Sequence, residues 1–154
     1  MIALLRQRWL ILACRVALGV VFVYSGWTKI ADPPGFAHMV WNYRILPPAL
    51  VNIVALVLPW VEVLAGAALV AGIWNRSAAL ILAVLLAVFI AGIALNLFRG
   101  NPIDCGCFAT SSAGKTPEEM LAAMRLDILR DLGMMAMALA VLFGRLRTRE
   151  SDSG

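Results

Sequence analysis

SAALILAVLLAVFIAGIALNLF, Ser77 to Phe98, contains no charged residue. At 1.5 Å rise per residue it forms a helix long enough to cross the roughly 30 Å of hydrocarbon in a bilayer. Two more windows of this kind precede it. Trp9 to Ile30 is interrupted only by Arg15 before Lys29, and Ala49 to Trp74 carries Glu62 as its single charge. A fourth, Ile128 to Leu146, has a shorter uncharged centre at Leu132 to Gly144. Three spanning helices leave nothing soluble for that segment to pack into, so it is counted as a fourth span. Composition agrees: 62% of the 154 residues are hydrophobic, 14% are charged, and the mean hydropathy is +0.89. A soluble domain of this size needs a far more polar surface. The expected fold is all-α: one integral membrane four-helix bundle over residues 1–154, with spans at 9–30, 49–74, 77–98 and 128–146.

The first span contains Leu10 to Cys14, LILAC, which faintly resembles a lipoprotein cleavage site. The apolar stretch before Cys14 is too short for a signal core and the run continues beyond it, so an uncleaved helix is expected. Four spans put both termini and Arg76 on one side, with Arg6, Arg8, Arg145, Arg147 and Arg149. The other side holds Lys29, Arg44, Arg99, Lys115, Arg125 and Arg130, mixed with acids. The counts tie, but the tight basic clusters at the termini favour a cytoplasmic location for them. A net charge of +4 is then met by an anionic leaflet and calls for no nucleic acid.

Two short interfacial helices are expected in the loops on the far side. Ala31 to Pro48 has Pro-Pro near each end, which stops the flanking helices, and between them Phe36, Met39, Val40 and Tyr43 recur at helical spacing beside Trp41. Trp and Tyr favour the interface. In the later loop, Thr116, Pro117 and Glu119 form a helix start, with threonine as N-cap and glutamate three residues on. A helix from there to the end of the fourth span would be about 45 Å long, and Gly133 marks a possible bend between an interfacial and a spanning part.

Ionisable residues inside a membrane are expensive and draw functional attention. Arg15 and Glu62 lie at depths close enough for a side chain to bridge, and the plainest reading is a pair that holds the bundle in register. Alternatively Arg15 snorkels to the rim and Glu62 serves a proton path, aided by Pro59 one turn earlier. Cys14 in a spanning helix packs as a small apolar residue; a role as a resting thiol is opposed by its depth near the opposite face.

Cys105-Gly106-Cys107 is different. Glycine between the cysteines removes hindrance and permits the backbone angles that bring two sulfurs together. So small a ring is strained, hence easily reduced and oxidising. Two other readings remain open at this point. The thiolates could clip Cu(I) with Met134, Met135 and Met137 as thioether ligands, or they could be structural or idle. Zinc lacks ligands, because His38 is the only histidine.

Five segments in order resemble the DoxX-like, MauE-type membrane proteins named for methylamine utilisation: Arg15 to Ala37, Asn42 to Pro47, Leu58 to Gly72, Asp104 to Phe108 and Leu129 to Met135. One departure is Ala109 where the pattern leads one to expect glycine. The resemblance implies a four-helix protein of the bacterial inner membrane that handles disulfides with a thioredoxin-like envelope partner during maturation of a disulfide-rich dehydrogenase. At the level of architecture alone it is similar to DsbB and vitamin K epoxide reductase, which pass electrons to a quinone. The expected function is therefore thiol-disulfide exchange at Cys105 and Cys107, facing the periplasm or cell exterior. Electrons would leave to a quinone near Glu62 or near Trp27, Lys29, Trp41 and Arg44. The alternative is a non-enzymatic maturation scaffold whose cysteines bind copper or hold a fold.

Overall fold

The computed structural model describes residues 2–103 and 115–151, with side chains at 7–103 and 115–144. Its elements are helices: α1 (Ile2–Ala31), α2 (Pro33–Asn42), α3 (Pro48–Ala71), α4 (Asn75–Phe98) and α5 (Pro117–Ser151). Three helical stretches, Gln7–Ala31, Pro48–Ala71 and Asn75–Phe98, are long and apolar enough to cross a membrane. The sequence led us to expect four; α5 is helical but falls outside this group among the described residues, because its first half carries Glu118, Glu119, Arg125, Asp127, Arg130 and Asp131.

The helix ends follow local chemistry. Asp32 caps α2 by accepting from the Gly35 amide at 3.1 Å, with proline in the first turn. α3 stops at Ala71, three residues before the expected end, because Gly72 takes the left-handed conformation at φ 81° and closes the helix. Trp74, also left-handed at φ 48°, then starts α4. At α5 the capping box forms as read from sequence: the Glu119 amide donates to Thr116 Oγ1 at 3.3 Å, and the Thr116 amide donates to Glu119 Oε2 at 2.9 Å. Among the described residues of the later loop there is no separate second interfacial helix. α5 runs as one helix through Gly133.

α1 packs antiparallel along α3, α5 lies along α4 and α1, and α2 rests on α3. Glycines set the α1/α3 spacing. A Cβ at Gly19 would meet the Gly66 carbonyl oxygen at 2.7 Å, and one at Gly66 would meet the Gly19 oxygen at 2.7 Å. The backbones touch there, as small residues allow in membranes. The core gathers Leu18, Phe22, Leu69, Leu82, Leu86, Met134, Ala138 and Val141. Outward faces are apolar too, with Leu56, Trp60, Leu64, Leu80, Val84 and Val88 all exposed. In water such a surface would aggregate; against lipid it is favourable.

The turn at 72–74 lies at the end where α1 begins and α5 finishes: a Cβ on Gly144 would collide with Ile11. α2 and the segment after α4 share the opposite end. There a Cβ on Gly92 would lie 2.9 Å from the Tyr43 ring, and Ile103 is buried with Ile93 and Met124.

Candidate functional site

The polar core lies between α1, α3 and α5, beneath α2. Lys29 Nζ donates to Glu62 Oε1 at 2.7 Å and to Oε2 at 2.8 Å. Their side chains are 4% and 0% exposed, so both charges are out of solvent. Ser25 lines the same small cavity as Glu62. The Lys29 ammonium also stands 5.1 Å from the Phe36 ring centre and 5.0 Å from that of Phe89. Aromatic faces at that distance attract a desolvated cation.

This arrangement corrects the expected Arg15 to Glu62 pair. The Gly19 to Gly66 contact fixes the register and sets Arg15 opposite Gly72, where a Cβ would lie 3.3 Å from Arg15 Nη1. Gly72 is ten residues from Glu62, roughly 15 Å along a helix. The same register sets Lys29, close to the end of α1, across from the middle of α3. α2 then covers it.

The residues expected to hold a cofactor do not form one pocket. Trp27 is 66% exposed while Lys29, two positions on, is buried; two residues turn a helix by about 200°, so the side chains leave α1 on opposite sides. Trp41 is exposed on α2, and Arg44 lies just past it at φ 49°, also exposed. Beside Glu62 is a cavity of about 10 Å³, lined by Ser25, Phe22, Leu86, Phe89 and Met134. That is room for one water and not for a quinone ring. A much larger apolar groove, about 590 Å³, runs outside α1 and α3 past Val20, Tyr24, Trp27, Ala67 and Val70.

Asp131 completes the polar core and was not singled out from sequence. Its side chain is fully buried and accepts from Arg130 Nη2 at 2.9 Å and Nε at 3.2 Å, while Arg130 Nη1 also meets Asp127 at 3.0 Å. Oδ2 of Asp131 has no hydrogen-bond partner among the described residues, and Lys29 is close enough to act on the carboxylate electrostatically. The signal was periodic: Asp131 falls in phase with Met124, Met134, Ala138 and Val141, the buried stripe of α5.

Cys105 and Cys107 lie outside the described residues. Cys14 packs against the core as a small apolar side chain, as expected. Met134 is buried, and Met135 and Met137 pack against the same core. The histidine is accounted for near Asn42, with His38 Nδ1 3.4 Å from Asn42 Nδ2.

Long apolar helices, an outward apolar surface and an ion pair closed between helices define an integral membrane protein of the all-helical kind. The family model described as methylamine utilisation protein MauE matches residues 7–144, and the chain belongs to that family. A methylamine utilization protein MauE from Paracoccus denitrificans is 37% identical over 139 residues, covering 90% of this chain and 71% of that protein. The protein of the same name from Methylophilus methylotrophus is 32% identical over 125 residues, covering 80% of this chain and 63% of that one. The chain is thus shorter than the relatives it matches. No solved structure matches it significantly.

Proposed function

We propose that the protein is a thiol-disulfide oxidoreductase of the bacterial inner membrane, serving methylamine utilisation, with Cys105 and Cys107 as its exchanging pair. The observation that carries this reading is the Cys105-Gly106-Cys107 sequence, whose small strained ring favours turnover over stapling. Support comes from the anchoring on both sides of it: Ile103 is buried with Ile93 and Met124, and the Thr116 capping box starts α5. The Lys29–Glu62 pair acts as a lock between α1 and α3 beneath that end; its saturation and the one-water cavity beside it favour this over a proton path.

In the reaction, a thiolate of a thioredoxin-like partner attacks one sulfur of the Cys105–Cys107 disulfide. That bond breaks, a mixed disulfide forms and the released thiolate takes a proton. The partner's second thiolate then attacks the partner sulfur of the mixed bond, releasing the other cysteine, which is protonated in turn. The partner dithiol has become a disulfide, and Cys105 and Cys107 have gained two electrons and two protons. A membrane quinone is the class of acceptor that takes two electrons and restores the pair. The Tyr24/Trp27 groove, at about 590 Å³, has the size and apolarity of a small-molecule site.

Within this reading α5 is the fourth span. Its Met134, Ala138 and Val141 stripe is buried, and Leu132, Leu139 and Phe143 are exposed on the other side. The termini and Arg76 lie in the cytoplasm and the cysteine segment faces the periplasm, following the clustered arginines. The test is a disulfide-formation assay in cells carrying the Cys105→Ser, Cys107→Ser double variant. Loss of disulfide formation in the dependent dehydrogenase is expected, and full activity would overturn the proposal.

A further inference from the structure

At the end opposite α2, an open cavity of about 350 Å³ between α1, α4 and α5 is lined by Arg8, Ile11, Arg15, Asn75, Val141 and Gly144 among others. It is separate from the polar core and belongs to nothing in the proposed redox chemistry. Two polar atoms there are buried with no hydrogen-bond partner among the described residues: Nε of Arg15, a donor, and Oδ1 of Asn75, an acceptor. Asn75 is only 8% exposed. A buried donor or acceptor left unmet is destabilising, so a protein that keeps two of them in one cavity has a use for them. The surroundings select the sign of charge. Among the described residues, two guanidinium groups line the space and no carboxylate does. Asn75 is also the first residue of α4, a 24-residue helix whose Trp74 N-cap makes no side-chain cap bond. The positive end of that helix dipole therefore remains uncompensated by a side chain.

We infer that this cavity is a binding site for a phosphate group that also carries a hydroxyl. The phosphate oxygens accept from Arg15, Arg8 and the α4 N-terminus, and the hydroxyl donates to Asn75. Arginine forks suit phosphate geometry. An anionic lipid headgroup of the phosphatidylglycerol type carries both functions and reaches the cavity from the leaflet surface; inorganic hydrogen phosphate carries them from solution. The ligand would tie the first turn of α4 to α1 at the terminal end, as the Lys29–Glu62 pair ties α1 to α3 further along.

The test uses the full chain purified in neutral maltoside detergent, with thermal unfolding followed on addition of phosphatidylglycerol, phosphatidylcholine or inorganic phosphate. Phosphatidylglycerol at saturation is expected to raise Tm by about 5 °C or more, with phosphatidylcholine giving little. Arg15→Gln should weaken the effect about tenfold or more, as loss of a charged hydrogen bond does. Arg8→Gln, at an exposed position, and Asn75→Asp, nearly isosteric but of the wrong charge, keep the test open should Arg15→Gln fail to fold. A shift with inorganic phosphate that these variants abolish supports the site and assigns it to a soluble ligand. A shift with phosphatidylglycerol alone, abolished likewise, assigns it to lipid. No shift with either probe, or shifts of equal size in the wild type and in Arg8→Gln and Asn75→Asp, would overturn the inference.

Discussion

Glu62→Gln removes one charge of the buried pair and changes little else in shape. At 2.7 Å the attraction between Lys29 and Glu62 is about 6 kcal/mol at an effective dielectric constant of 20, before desolvation is set against it. Removing one partner of such a pair typically costs about 3–5 kcal/mol, because the other charge stays buried and unmatched. The Phe36 and Phe89 rings at 5.1 and 5.0 Å still hold the ammonium, so the lower end, about 3 kcal/mol, is expected. Lys29→Met lacks that compensation and should cost about as much or more. With both charges gone the penalty disappears with them, and Lys29→Met/Glu62→Gln should lose only about 1 kcal/mol. Reversible unfolding in mixed micelles of increasing dodecyl sulfate content, read by tryptophan fluorescence, gives the four stabilities. A double variant whose loss equals the sum of the two single losses would refute the lock.

Three further outcomes follow from the packing. Gly19→Val places a side chain against the Gly66 carbonyl, whose oxygen lies 2.7 Å from the first added carbon, and should cost about 2 kcal/mol or more in the same unfolding assay. Asn96→Ala removes the amide that donates to the Tyr43 carbonyl at 3.2 Å; about 1 kcal/mol is lost, and amide exchange should speed up around Tyr43 before it does in α4. Thr116→Ala opens the α5 capping box at a cost of about 1 kcal/mol, with Thr116→Ser retaining most of it, as measured by hydrogen exchange in the first turn of α5.

The helical class was legible because hydropathy and helix-end chemistry act locally. The charge-free run at Ser77–Phe98 and the Thr116, Pro117 and Glu119 signal each specify an element without help from the rest of the chain. Glu62 stood out for a similar reason: it is the one charge in an apolar run. Its partner did not, because that depends on the relative sliding of α1 and α3. The contact between Gly19 and Gly66 sets that register, and no single residue announces which pair of glycines will touch. Lys29 was grouped with Trp27, Trp41 and Arg44 and not with Glu62 for the same cause, since α2 folds over it and only the tertiary structure shows that Phe36 covers the ammonium. Asp131 was hidden among the mixed charges of the first half of α5, where composition outweighed its phase with Met134 and Ala138. Trp27, Trp41 and Arg44 were grouped by their nearness in sequence, whereas helix rotation and the turn after α2 send them to different surfaces.

The most direct measurement on the central claim is trapping of the exchange intermediate. Cys107→Ser and Cys105→Ser variants, each leaving one loop thiol, are expressed in cells making the envelope partner, quenched with acid and alkylated, then separated without reductant. The account predicts that one of the two accumulates a covalent adduct with a protein bearing a thioredoxin-like Cys-x-x-Cys, released by dithiothreitol and absent from the double variant. Absence of any reductant-sensitive adduct from both single variants, with the wild-type pair remaining reduced throughout, would contradict it.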